Sequence, residues 1–180
     1  MKKTLIALAA LCLFACNSST EPAKTEMSTI PDSAGVKSKI LPDTENQSTR
    51  DIIKAYEDGN LEAFLAPMAD SVKIYYPGPG DSLVGKDALK QFFKLRQDSV
   101  VSAKMEAPVF LAVDVQDNIA VAPGKWLMSW YLWNIKYKNG KTALFNIQAT
   151  HHINAAGKVD IGIWYYDVAR AQGNAPKAMK

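Results

Sequence analysis

Cysteine is nearly missing: two in 180 residues, Cys12 and Cys16, and none after them. That excludes a disulfide-built fold and a thiolate metal site in the body of the chain. Histidine is as scarce, limited to the adjacent His151 and His152. Neighbours on a strand project to opposite faces, so the two do not chelate one ion, and neither a metal nor another cofactor is expected. No apolar run approaches the roughly 20 residues that cross a bilayer as a helix. No sign of charge dominates, with 21 basic and 18 acidic residues giving a formal +3. Ten glycines and nine prolines are too few for a collagenous or low-complexity chain. What is there, 48% hydrophobic and 22% charged, suits one globular domain.

The first residues read Met1-Lys2-Lys3, and the chain is apolar from Leu5 through Ala15 to Cys16. A short positive start before an apolar stretch of about 7–15 residues is the pattern of an export signal. The junction Leu13-Phe14-Ala15-Cys16 resembles that of a bacterial lipoprotein. The resemblance implies removal of residues 1–15, acylation of Cys16 by chains such as palmitate, and attachment to a membrane of the bacterial cell envelope. Residues 16–47 are polar and without apolar period, and read as a tether. Residues 48–172 read as the domain and 173–180 as a flexible tail. Loss of Lys2 and Lys3 leaves 19 basic against 18 acidic residues, a formal +1. The basicity belongs to the signal, so no nucleic-acid partner is expected.

Ser48-Thr49-Arg50-Asp51 before Ile52, Ile53 and Tyr56 signals a first helix. Asp58-Gly59-Asn60 interrupts it, and a second helix runs from Leu61 to Met68. Val72, Ile74 and Tyr76 alternate with Lys73 and Tyr75 as a strand, ended by Pro77-Gly78-Pro79-Gly80-Asp81. That loop lacks the Gly-Lys-Ser/Thr of a phosphate cradle. A third helix opens at Gly85, with Leu89, Phe92, Phe93 and Leu95 as its apolar face. After Pro108 the chain turns to strands, Val109–Val115, Ile119–Tyr137, Thr142–Ile153 and Val159–Tyr166. The pattern is α+β, a curved antiparallel sheet with helices packed on one face.

Two turns set a register. Asn139-Gly140 suits a two-residue hairpin, placing Trp130 opposite Ala149 and Leu127 opposite His152. Ala155-Ala156-Gly157 suits a three-residue loop, placing His152 opposite Asp160 and Gln148 opposite Trp164. One face then carries Trp126, Met128, Trp130, Leu132, Phe145, Ile147, Ala149, Ile153, Val159, Ile161 and Ile163, as core. The other carries Leu127, Ser129, Tyr131, Trp133, Asn146, Gln148, Thr150, His152, Asp160, Trp164 and Tyr166. Polar groups among large aromatics mark a ligand pocket or subunit interface.

The order helix, helix, strand ending Tyr76-Pro77-Gly78, helix opening Gly85-Lys86-Asp87-Ala88-Leu89, then long strands closing at Tyr165-Tyr166-Asp167 resembles the nuclear transport factor 2-like superfamily. The likeness is to its SnoaL-like and ketosteroid-isomerase-like branches, and covers about Ser48 to Arg170. It implies a cone-shaped α+β barrel with a mostly apolar pocket and dimerisation through the sheet. Ketosteroid-isomerase-like members place a base Asp where this chain has Tyr76, and epoxide-hydrolase-like members an Asp at the position of Trp164.

The site candidates follow. Tyr76, Tyr131, Trp133, Gln148 and Trp164 are expected to line the pocket, Tyr76 alternatively filling the core. His152 with Asp160 reads either as a general base held by a carboxylate or as a solvated cross-strand ion pair. His151 reads as a core histidine. The leading reading is a lipid-anchored envelope protein that binds a small, largely apolar molecule. The alternatives are a cofactor-free isomerase, dehydratase or hydrolase using His152 and Asp160, and a dimeric protein-interaction module.

Overall fold

A computed structural model describes residues 37–77, 82–117 and 121–171. The expected signal, Cys16 and the tail 173–180 lie outside the described residues. Structure begins earlier than Ser48. β1 (Lys37–Leu41) and a 3-10 turn (Asp43–Asn46) precede α1 (Gln47–Glu57), so residues 37–47, read as tether, are structured. The short β1, with Lys37 and Lys39 in its first three residues, resembles linker in composition, yet pairs as an edge with the far end of a long strand, Ile40 opposite Val113.

α2 (Leu61–Leu65) follows, started by the Asn60 side chain accepting from the Ala63 amide. Then come β2 (Met68–Tyr75), β3 (Ser82–Val84) and α3 (Gly85–Ser99). The rest is β4 (Val100–Asp117), β5 (Gly124–Tyr137), β6 (Thr142–Ile153), β7 (Val159–Tyr166) and a last turn, α4 (Val168–Ala171). The sheet order is β1-β4-β5-β6-β7-β2-β3. The expected α+β class holds, with two corrections. β2 pairs with β7 in parallel, making the sheet mixed rather than antiparallel throughout. Among the described residues β1 and β3 are edges, so the sheet is open and does not close into a barrel. The parallel pair is possible because α3 and the whole meander form the long connection it requires.

β4 carries an irregularity in its pairing with β5. Glu106 faces Leu132 and Val109 faces Trp130, leaving Ala107 and Pro108 as an irregularity opposite Tyr131, with Ala107 at φ 47°. A bulge of this kind bends its strand and raises the local twist.

Two clusters of buried side chains hold helices to the sheet. Ile52, Ala55, Phe64, Leu89 and Phe93 pack on Met68, Val72, Ile74 and Val159. Ile53 joins Trp133, Ile135, Tyr137, Phe145 and Ala171. Each fully buried Leu, Ile or Phe contributes roughly 1.5–3 kcal/mol, so these few residues pin the helices. Leu95, expected on the buried face of α3, is 73% exposed. The face instead runs Leu89, Phe92, Phe93, Arg96 at three- and four-residue steps, which leaves position 95 pointing away.

The register differs from expectation by one residue at both hairpins, for separate reasons. At the first, the Tyr137 amide donates to the Lys141 carbonyl at 2.8 Å and the Gly140 amide to that of Tyr137 at 3.0 Å. The loop is therefore the three residues Lys138, Asn139 and Gly140. Gly140 alone takes positive φ (80°), whereas a two-residue type I′ turn needs it at both central positions. Asn139 instead accepts from the Lys141 amide through its side chain at 3.0 Å. At the second hairpin the three-residue loop is as expected, with the Asn154 amide bonded to the Lys158 carbonyl at 2.9 Å. A bulge at Asp160 then shifts the pairing, from Ile153 opposite Val159 to His152 opposite Ile161.

The two slips cancel between β5 and β7 and invert only β6. The helix-facing side carries Leu127, Ser129, Tyr131 and Trp133 with Phe145, Ile147, Ala149 and His151, and with Gly162, Trp164 and Tyr166. Trp130, expected in the core, is on the other side and 37% exposed.

Candidate functional site

Between the sheet and the helices lies an apolar cavity of about 90 Å³. Tyr131 and Trp133 of β5, Phe145, Ile147, Ala149 and His151 of β6, and Trp164 and Tyr166 of β7 form the sheet wall. Ile52, Ile53 and Tyr56 of α1, Phe64 of α2, and Phe92 and Arg96 of α3 form the helix wall, completed by Ala171 of α4. The Tyr137 hydroxyl donates to the Ala171 carbonyl and so fastens α4 to the sheet.

Aromatic rings set the shape. Tyr56 is a hub, its ring centroid 5.4 Å from Phe93, 5.3 Å from Trp133 and 6.1 Å from Phe64. Tyr131 meets Trp133 edge-on at 5.5 Å, and Phe92 lies 6.0 Å from Trp164. Such offset and edge contacts make stiff walls. Gly162 permits the close packing beneath. A Cβ there would run into Ile74 Cδ1 and sit 3.4 Å from His151 Cδ2.

The polar groups are few and defined. The Trp164 indole donates to His151 Nε2 at 3.2 Å. Burial pushes the His151 imidazole down to about 4, so it is neutral at pH 7. Because an indole only donates, Nε2 holds the lone pair and the proton sits on Nδ1. That Nδ1–H is buried and has no partner among the described residues. Burial also pushes the Tyr56 phenol up to about 12 and raises Tyr131 and Tyr166, against the opposing pull of Arg96 on Tyr56 and Tyr166. All three stay neutral hydroxyls at pH 7. The Arg96 guanidinium sits 5.3 Å from the Phe92 ring centroid and donates to the Tyr166 hydroxyl at 3.4 Å. It carries the one formal charge among the lining residues, and no carboxylate is among them.

Of the residues expected to line a pocket, Tyr131, Trp133 and Trp164 do so. Tyr76 stands beside the cavity, its ring 5.7 Å from the lining ring of Phe92. Gln148 is on the opposite face of the sheet, between Trp130 and Tyr165. His152 and Asp160 do meet, Nδ1 to Oδ1 at 2.6 Å, through the bulge rather than by direct opposition. Their pair is on the outer face. His152 Nε2 is 3.0 Å from the Pro123 carbonyl, and its ring centroid is 4.9 Å from that of Trp126, whose indole donates to the Ala122 carbonyl. Both imidazole nitrogens thus face oxygen acceptors, away from the cavity. The pair fastens the 121–123 segment to the sheet.

Sequence reasoning missed Tyr56, Phe92, Arg96 and His151 as cavity residues. For Arg96 a signal existed, because it continues the Leu89–Phe92–Phe93 face. For His151 there was none, since its side depends on the register of β6.

No family model and no curated protein matches the chain. Solved structures do. A candidate polyketide cyclase from Xanthomonas campestris is 20% identical, covering 72% of this chain and 96% of its own, with a TM-score of 0.58. A nuclear transport factor 2-like protein of unknown function from Burkholderia pseudomallei is 18% identical over 72% and 95%, with a TM-score of 0.57. TerC, co-crystallised with polyporic acid, is 16% identical over 71% and 95%, with a TM-score of 0.56.

Proposed function

On a chain with the nuclear transport factor 2-like fold, we propose a ligand-binding domain whose cavity between sheet and helices takes a small, largely apolar molecule. The observation that carries this is the lining itself. Aromatic and aliphatic walls surround a few neutral donors and one guanidinium, with no carboxylate to act as base. Proton-transfer chemistry of the isomerase or dehydratase kind needs a tuned base, and the one His–carboxylate pair lies on the far side of the sheet. Binding without turnover fits these groups better. The co-crystallisation of TerC with polyporic acid gives a precedent within the fold.

A cavity of about 90 Å³ is smaller than the ~150 Å³ apolar cavity that takes up benzene in another protein. The enclosed space accordingly takes only part of a ring-bearing ligand, and the rest lies outside it. Native mass spectrometry of the purified protein tests this. The expected result is a retained small molecule that is lost when Ile147→Trp fills the cavity. A protein that carries none, and binds none from a panel of aromatic compounds, would sink the reading.

The outer face favours a second feature. Val109, Trp130, Gln148 and Tyr165 form a continuous cross-strand row, with Val109 60% and Tyr165 59% exposed. A second copy of the chain on this row would bury it, giving a homodimer that leaves both cavities on the outside. Acylation of Cys16 would hold the domain at a bacterial envelope membrane. Its support is the Leu13-Phe14-Ala15-Cys16 junction, and mass analysis of the mature N-terminus tests it.

A further inference from the structure

The chain has three arginines. Arg50 is paired with Asp43 at 2.9 Å and Arg170 with Asp167 at 3.4 Å. Arg96 has no carboxylate within ion-pair distance among the described residues, and it is the one that lines the cavity. A guanidinium has five N–H donors, and only one bond is made here, to Tyr166 at 3.4 Å. Arg96 is part-buried and its guanidinium lies over the Phe92 ring, but an aromatic face does not neutralise a charge. The remaining donors fit the two parallel oxygens of a planar acid.

His151 supplies a second, independent observation. Its Nδ1–H is buried, without a partner among the described residues, and belongs to a residue of the same cavity. Burying a donor without an acceptor costs about 1–3 kcal/mol, a penalty that a ligand oxygen removes. The two groups ask for different things: a negative charge at the guanidinium and a neutral acceptor at the imidazole.

We infer that the ligand is an organic monoanion, an aromatic or alicyclic body carrying a carboxylate or equally acidic oxygen against Arg96 and a neutral oxygen acceptor for His151. This rests on the cavity's being the binding site, and it narrows that site from apolar molecules in general to amphiphilic acids. Neutral sterols and hydrocarbons are disfavoured, because they would cover the part-buried guanidinium without pairing it.

The test compares two probes of near-equal size, 2-naphthoate and 2-naphthalenemethanol, by calorimetry at neutral pH. The expected result is that the acid binds about tenfold more tightly or better, the range a charged hydrogen bond supplies. Arg96→Gln should abolish that preference, so that acid and alcohol bind the variant with equal affinity. Arg50→Gln, outside the cavity, should leave the preference intact. Because Arg96 also sits in the last turn of α3, its loss can affect stability. The ratio of the two affinities is immune to that, since both probes meet the same fold. Equal binding of acid and alcohol, or a preference that survives Arg96→Gln, overturns the inference and leaves the pocket standing. Failure of both probes and of the wider aromatic panel overturns the pocket reading with it.

Discussion

The indole N–H of Trp164 on β7 donates to Nε2 of His151 on β6 at 3.2 Å, and this one bond decides which imidazole nitrogen carries the proton. The donor cannot accept, so the histidine's proton is placed on Nδ1, where no group among the described residues takes it.

Acid should weaken the fold through His151. Its folded value is pushed down to about 4 by burial, from an ordinary 6.5. As pH falls below 6.5 the unfolded chain accepts a proton there that the folded chain refuses until about 4. Stability is full above that upper value, declines between the two, and levels off below, by an amount on the order of 3 kcal/mol. Urea midpoints against pH should show this slope reduced in His151→Gln relative to the wild type; parallel curves would refute it.

Gly162→Ala should destabilise by about 1–3 kcal/mol, because the new methyl collides with Ile74 Cδ1 in a filled core. The opposing gain from a stiffer unfolded chain is only about 0.4–1 kcal/mol, so the clash wins. Ile74→Val removes the atom in the way. The double variant should therefore be more stable than the sum of its parts predicts, by about 0.5–3 kcal/mol. Thermal unfolding of the four proteins measures the coupling, and strict additivity would refute the close approach.

Asp160→Asn should lower stability by about 1.5–3 kcal/mol, the worth of a hydrogen bond to a charged group, and leave ligand affinity alone. His152→Ala should do likewise. Calorimetric binding beside urea unfolding separates the two effects. Loss of binding without loss of stability would move the pair into the site.

Trp130→Glu should dissociate the proposed dimer, since a carboxylate at the middle of the outer row would be buried without a partner. Sedimentation equilibrium should show a dimer for the wild type and a monomer for the variant, with cavity binding retained in both. A wild-type monomer at micromolar concentration removes the dimer.

Much of the architecture was written locally. The helix–helix–strand–helix order, the four long strands and the burial of Val72 and Ile74 all follow from apolar spacing and turn residues, which act over a few positions. β1 escaped because a five-residue edge strand opening Lys37-Ser38-Lys39 has the composition of a linker. The site was legible in part. Tyr131, Trp133 and Trp164 were recognised by type and by their shared alternation, whereas Gln148 was exchanged for Ile147 and Ala149 when β6 turned over. His152 and Asp160 were matched as partners but assigned the wrong side.

By itself, then, the sequence determined the elements, the aromatic supply, the charge of the domain and the meeting of His152 with Asp160. Tertiary structure decided which residues face the cavity. The physical reason is the two-residue period of a strand: a third loop residue before Lys141 and one bulge at Asp160 each move a register by one, and one step reverses every side chain of β6. That reversal placed His151, and not His152, opposite Arg96's helix in an apolar wall. The choice rested on contacts between strands, which no local stretch of sequence records.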